Sequence, residues 1–407
     1  MTASAPADLP GPLHGIRVVD LTGMLAGPYA TMLLADLGAD VVKIEPPAGD
    51  VTRRASPVRE GDGPGALSGY FQSVNRGKRS IALDLKDLPQ KERLLQLIDR
   101  ADVVVESYSA HVMDRLGLSY EILAARNPRL VYAALRGFGD RRTGPSPLAD
   151  WPAYDVVAQA MGGLLSITGT EDGGPVKTGP GVGDIFPASL LAVGILAALY
   201  DARRTGKGQF VDVAMYDAVL SLCERIVHQY SYTGVSPVPQ GNAHPMLSPF
   251  DILPTKDGWV ALAAPHDHQW QVLTGLIGRP GLADDPDFQT GPARVRNKHR
   301  VRAALLEWLR GQPTEEVVRL LGGQVAIGPV NTAGDIFRDP HVAAREMLVT
   351  VEQPGSTRPV TIAGSPIKLT RTPSAVRRRG PLLGEDDIDD VLTSWADVKP
   401  GGRDGTR

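Results

Sequence analysis

The sequence predicts an α/β protein whose larger domain is a parallel, doubly wound sheet, joined by a second, smaller domain. Three observations lead there. Short β-branched runs alternate with helical stretches from residue 15 to residue 135, the composition changes after Thr233, and 407 residues is long for one compact core.

The elements follow in order. Residues 15–20 form a β-branched run, and after a short loop residues 29–37 read as a helix stopped by Gly38. A second strand at 40–45 is closed by Pro46-Pro47, and the alternation returns as strand 80–84, helix 90–100, and strands 102–106 and 130–135. Glycine and proline are dense between Gly61 and Gly69, so residues 53–79 read as a surface loop across the sheet's edge. From Asp155 to Tyr200 the pattern is helical, interrupted by a glycine-rich loop at 169–183. Pro237, Pro239, Gly241 and Pro245 then form a linker, and a new strand begins at Gly258. The expected organisation is a large-domain portion at 10–225, a small domain at 235–330 with helices at 298–310 and 314–321, a C-terminal return at 331–395, and a polar tail at 396–407 that begins to show from Ser394. No fixed-period repeat is visible.

Composition narrows the function classes. Lys+Arg 43 against Asp+Glu 46 gives a formal net charge of -3, so no global field draws nucleic acid or an anionic membrane. One cysteine, Cys223, excludes an intrachain disulfide framework and a cysteine-built zinc cage, and suits the cytoplasm. The N-terminal residues lack the basic and apolar regions of an export signal. The longest apolar run, 188–200, is shorter than the roughly 20 residues that cross a bilayer and reads as a buried helix.

The segment Gly179-Pro-Gly-Val-Gly-Asp184 precedes an apolar helix. Glycines let backbone approach a ligand closely, and a helix beginning near Asp184 offers unpaired N–H groups. Two readings stand, a plain N-cap, which is the commoner use of such an Asp, and a reactive carboxylate facing donors.

The chain resembles the family III CoA-transferases over nearly its whole length. The resemblance is carried by Leu13-His-Gly-Ile-Arg-Val-Val-Asp20, Ala26-Gly-Pro28, Leu37-Gly-Ala-Asp-Val-Val-Lys-Ile-Glu45, Asn75-Arg-Gly-Lys-Arg-Ser80, Gln159-Ala-Met-Gly-Gly163, Gly183-Asp184 and Arg204-Thr-Gly-Lys-Gly-Gln209. It implies a Rossmann-like large domain, an interlocked homodimer and coenzyme A thioesters as substrates, with no tightly bound cofactor and no metal. It also implies that Asp184 is the nucleophile, passing through an aspartyl anhydride and an aspartyl-CoA thioester. By the same resemblance, Leu25, Ala26, Leu83, Lys86, Ser107, Tyr108, Arg115 and Tyr154 fall where the family contacts CoA. Lys86 and Arg115 are suited to phosphates, or else are ordinary surface charges.

Two departures qualify this. Pro46 stands where formyl-CoA transferase has an arginine, leaving Arg53, Arg54, Lys78 or Arg79 as replacements. The related acyl-CoA racemases, the alternative reading, place a histidine before an Asp; here Tyr154 precedes Asp155, and a phenol with pKa about 10 exchanges protons poorly near neutrality.

Three other features are weaker. His266-Asp267-His268 alternates as a strand would, with the imidazoles on one face, but reads more simply as a turn, and no metal is assigned. Gly241-Asn-Ala-His244 occupies the family's flexible loop without its tetraglycine run. Arg377-Arg-Arg379 reads as a solvated turn rather than a nucleic-acid contact.

Overall fold

The computed structural model describes residues 10–396 other than Pro64 and Glu171. Two compact units emerge. The first takes in residues up to Leu164, Thr178–His228 and the chain from His341; the second holds Leu165–Lys177 and Gln229–Pro340. The second unit is therefore wider than the 235–330 expected, and it borrows a piece of the glycine-rich segment.

The first unit is built on six parallel strands: β1 (Arg17–Leu21), β2 (Asp40–Glu45), β3 (Arg79–Ala82), β4 (Val103–Glu106), β5 (Val131–Arg136) and β6 (Phe210–Ala214), in the order β3-β2-β1-β4-β5-β6. This is a doubly wound order that reverses between β1 and β4. β6 lies beyond the expected helical region and was not among the predicted strands.

Strand periodicity divides the core in two. Successive side chains point to opposite faces, so Val18, Val41, Val103 and Val131 join one cluster, while Val19, Val42, Val104 and Tyr132 join the other. Helices Ala26–Asp36 and Val182–Thr205 cover the first face through Ala30, Leu34, Leu191 and Ile195. Helices Leu88–Ile98 and Ile388–Ala396 cover the second through Leu94, Leu97, Val391 and Trp395. Burying each large aliphatic side chain contributes about 1.5–3 kcal/mol, which is why a β-branched alternation of this length organises the unit. Val182–Thr205 is also long and apolar enough to cross a membrane by composition. Its buried side, including Ala188, Leu191, Ile195 and Ala198, lies in the sheet's core.

The stretch 53–79 is not one loop. It contains helix Gly69–Asn75, whose N-cap Ser68 accepts from the Phe71 amide and whose Phe71, Gln72, Val74 and Asn75 are buried. Gln72 donates to the carbonyl of Glu352 and to Gln353, each at 3.1 Å. These distant partners hold a segment whose own glycines disfavour helix.

In the second unit β7 (Phe250–Pro254), β8 (Trp259–Ala263) and β9 (Ala326–Pro329) form an antiparallel sheet against helices Asp267–Leu276, Lys298–Leu309 and Thr314–Leu321. Fully buried Arg294 ties its loops together, donating to the carbonyls of Ser248, Phe288 and Pro265 and to Asp267. Asp267 starts a helix rather than a strand, so His266 and His268 do not share a strand face. Among the described residues no group of three or more His, Cys, Asp or Glu is placed to hold a metal.

The chain's later part rejoins the first unit through the antiparallel pair β10 (Leu348–Val351) and β11 (Val360–Ala363) and helix Ile388–Ala396. Buried Trp395 donates its indole N–H to Asp40 at 2.8 Å. Ser394–Ala396, expected to open a polar tail, are thus helical because an indole anchors them; the rest of that tail lies outside the described residues.

Candidate active site

In a parallel sheet all strands end on one rim, and the reversal of strand order opens a crevice there. The rim at β1 and β4 carries the loops beginning at Thr22 and Ser107. They meet closely: the Gly23 amide points to Ser107 Oγ at 3.4 Å, and a Cβ on Gly27 would stand 3.0 Å from that hydroxyl. Leu25 and Ala26 open helix Ala26–Asp36 at this point, with Ala26 buried and Leu25 half-buried. Met24 just before them has φ 65°, a left-handed backbone that costs an ordinary residue about 1–2 kcal/mol. Tyr108 packs partly into the sheet's second core, where burial, aided by Asp20, Glu106 and Asp50, pushes its phenol pKa up.

A buried charge layer fixes these loops from beneath. Lys78 Nζ donates to Asp20 at 2.9 Å, to Asn75 at 2.9 Å and to the Pro28 carbonyl at 3.0 Å. Lys43 donates to the Thr22 carbonyl at 2.7 Å and pairs with Asp50 at 3.0 Å. Burial raises the Asp20 carboxyl, but Lys78, Lys43 and Thr22 outweigh it and hold the group below the ordinary range. Burial brings Lys78 down to about 8 against the pull of Asp20.

This layer corrects three of the phosphate candidates. Arg53 grips Glu45 with two bonds of 2.7 and 2.6 Å and stacks on Phe71. Lys78 is enclosed, and Arg79 pairs with Asp40 and Asp386. Arg54 alone of the four is exposed without a salt-bridge partner among the described residues.

The nucleophile candidate sits on the neighbouring element. Helix Val182–Thr205 starts from Gly181, so Asp184 is its third residue rather than its cap. Capping falls to Asp155, whose Oδ1 accepts the Gly183 amide at 2.8 Å. Buried Gln159 donates to Asp155 at 2.8 Å and accepts from the Thr178 amide and hydroxyl, stapling the glycine loop to helix Asp155–Met161. A Cβ on Gly181 would stand 3.1 Å from Leu25 Cδ2, which brings the loop of Asp184 against the crevice. Asp184 is half-buried, and its charge, with that of Asp50, adds to burial in raising the Tyr70 phenol pKa. Tyr70 is thus a neighbour of the carboxylate that the loop reading of residues 53–79 concealed; Ser68 as a helix cap was the available signal.

The unpaired N–H groups expected near Asp184 need adjustment. The amides of Val182, Gly183 and Asp184 are already bonded, to Pro180 O, Asp155 and Gly181 O. Between Gly179 and Asp184, the amides of Gly179 and Gly181 have no protein acceptor among the described residues.

The remaining positions lie farther along the rim. Buried Leu83 and exposed Lys86 follow β3, three strand spacings from β4, or roughly 14 Å. Arg115 ends the short helix Val112–Arg115 after β4 and is exposed. Tyr154 directly precedes helix Asp155–Met161 and is 68% exposed. The structure therefore brings Leu25, Ala26, Ser107, Tyr154 and Asp184 to one end of the sheet, with Lys86 after the edge strand β3 and Arg115 on the short helix after β4. The arrangement offers a carboxylate beside open backbone amides, an apolar step at Leu25 and flanking cations.

Known proteins resemble this chain throughout. The family described as CoA-transferase family III matches residues 13–387. Succinyl-CoA:mesaconate CoA-transferase of Haloarcula hispanica is 50% identical over 376 residues, 92% of this chain and 94% of that protein. Succinate–glutarate CoA-transferase of Agrobacterium fabrum is 40% identical over 380 residues, 92% of this chain and 93% of the relative. The crystal structure of a CAIB/BAIF family protein from Brucella suis superposes with a TM-score of 0.83 at 35% identity, covering 95% of this chain and 100% of that one.

Proposed function

The chain belongs to CoA-transferase family III, and from that premise we propose that it moves CoA from an acyl-CoA donor to a small carboxylic acid, with Asp184 as the covalent nucleophile. The observation that carries this is the Asp184 carboxylate in the first turn of helix Val182–Thr205, whose preceding Gly181 lies close against Leu25 at the crevice. The carboxylate attacks the donor thioester carbonyl and expels CoA thiolate, giving a mixed anhydride. The thiolate then attacks the aspartyl carbonyl, releasing the donor acid and leaving an aspartyl-CoA thioester. The acceptor carboxylate attacks that thioester, and the freed thiolate takes the new acyl group, restoring Asp184. No proton is gained or lost overall. Splitting the exchange lowers each barrier, and the open amides of Gly179 and Gly181 are suited to the developing oxyanions.

Leu25, Ala26, Leu83, Ser107, Tyr108 and Tyr154 serve the pantetheine and adenine in this reading, with Lys86 and Arg115 at the phosphates. The relatives transfer CoA between dicarboxylates by name, which favours such acids here. A racemase reading gains no imidazole at Tyr154.

We also place the enzyme in the cytoplasm as a homodimer. Exposed Val193 and Tyr200 on Val182–Thr205, with Val227 of helix Glu224–Thr233, provide apolar surface on the first unit for a second copy.

The test is Asp184→Asn. Exchange between succinyl-CoA and a panel of acids should vanish while CoA binding by calorimetry persists. In the parent enzyme charged with succinyl-CoA, hydroxylamine should displace CoA from the aspartyl thioester and leave Asp184 as its hydroxamate, located by mass spectrometry. Turnover by the variant would overturn the covalent role.

A further inference from the structure

Arg54 closes the 3₁₀ turn Val51–Arg54, whose N-cap is Asp50. Side chains three residues apart eclipse in such a turn, so Val51 and Arg54 fall on the same side. That side faces solvent: Val51 is 69% exposed and Arg54 is exposed, whereas Thr52 within the turn is buried. The carboxylates that adjoin the turn are already engaged. Glu45 accepts from Arg53, Ser80 and the Asp50 amide, while Asp50 accepts from Thr52 and pairs with Lys43. The Arg54 guanidinium is left without a hydrogen-bond or ion-pair partner among the described residues. Two contacts set this turn at the crevice. At its start, Asp50 Oδ2 lies 3.7 Å from where a Cβ on Gly23 would stand, and Lys43 bridges Asp50 to the Thr22 carbonyl. Farther on, Ser68 Oγ donates to the Thr52 carbonyl at 2.6 Å, fastening the turn to helix Gly69–Asn75. On that helix Tyr70 is the phenol on which the charges of Asp50 and Asp184 both act. Val51 and Arg54 thus stand beside the crevice on the Tyr70 side, an apolar step next to a planar cation.

We propose that Arg54 determines acid specificity by binding the remote carboxylate of a dicarboxylic acid, whose other carboxyl reacts at Asp184 and whose methylenes pass over Val51. A guanidinium matches a carboxylate with two parallel hydrogen bonds, and this one has no internal carboxylate to release first. A phosphate of CoA is the other anion available to it, but a phosphate would leave Val51 without an apolar partner. The assignment rests on the preceding functional reading and deepens it by naming the group that separates diacids from monoacids.

The experiment compares glutarate with pentanoate, an acid of equal chain length that lacks the second carboxylate, as acceptors from succinyl-CoA in the full chain. Any effect on the shared donor cancels in the ratio of their kcat/KM values. Arg54→Gln should lower the glutarate-to-pentanoate ratio by about tenfold, equivalent to about 1.4 kcal/mol, chiefly through the KM for glutarate. Arg54→Lys should retain part of the preference. Val51→Glu, which sets a carboxylate at the eclipsed position to pair with Arg54, should mimic Arg54→Gln. Both positions are exposed, so the fold should tolerate the changes, and CoA affinity by calorimetry should not move. An unchanged ratio overturns the proposal, as does an equal loss for both acids or a tenfold loss of CoA affinity. Glutarate binding to the CoA-loaded protein, followed by saturation-transfer NMR, needs no turnover. If the parent exchanges no CoA but binds glutarate in an Arg54-dependent way, the functional reading falls and the site stands. If exchange proceeds and the ratio ignores both substitutions, the reverse holds.

Discussion

Gly183 has no room for a methyl group, since a Cβ there would lie 2.5 Å from the carbonyl oxygen of Asp155 and 3.0 Å from its Oδ1. The residue beside the proposed nucleophile is thus fixed by contact with backbone, which cannot swing aside as a long side chain can. Gly183→Ala should push the Asp184 turn out of place, lowering kcat by at least about tenfold while CoA affinity changes little, as steady-state kinetics and calorimetry would show. The motif made Asp184 visible in the sequence, but not the residue that caps its helix. Asp155 lies 28 positions before Gly183, whose amide it accepts, and only the fold brings the two together. The same limit hid the fate of Lys78, which looked like a phosphate ligand because sequence shows charge and not enclosure. Asp20→Asn should make that enclosure measurable. Removing one member of a buried ion pair costs about 3–5 kcal/mol, read as a drop in chemical-denaturation stability.

Elements were legible where one signal dominated. β1, β2, β4 and β5 are β-branched and buried on both sides, so their positions followed from composition to within a residue or two. Helix Gly69–Asn75 and β7 were missed for opposite reasons. The helix is a weak former held by Gln72 to residues some 280 positions away, and β7 is a five-residue strand beside a proline-rich linker, ending in proline itself. Ile388–Ala396 shows how far such remote support goes, because its Trp395 is buried in the second core of the N-terminal sheet. Trp395→Ala should cost about 3–5 kcal/mol, seen as a lower denaturant midpoint for the first unit.

At the scale of the molecule, the charge layer under the crevice sets a response to acid. Burial raises Glu45 and Asp50, but Arg53 and Lys43 with their hydrogen bonds hold both carboxyls below their ordinary values of 4.5 and 3.8. A carboxyl lowered in the folded state adds stability above its unfolded pKa, and that stability disappears as pH falls through the folded value. Carboxyls raised by burial, such as Asp36 and Glu106, act in the opposite sense, so the contribution is best isolated by difference. The stability gap between the parent and Glu45→Gln should be full at pH 7 and shrink as pH drops below about 4.5, measured by denaturant titration across pH. The two-domain organisation and the doubly wound sheet were foreseeable from alternation and length; the unit boundaries were not, since the second unit's capture of 165–177 depends on contacts rather than composition.

The joining of Asp40 to Trp395, 355 positions apart, bears on how the protein is made. A ribosome delivers the first five strands long before the indole that seals one side of them. Until then the nascent sheet exposes valines to solvent, so chaperone capture and the pace of translation should govern the yield of active enzyme more than codon choice near the start does.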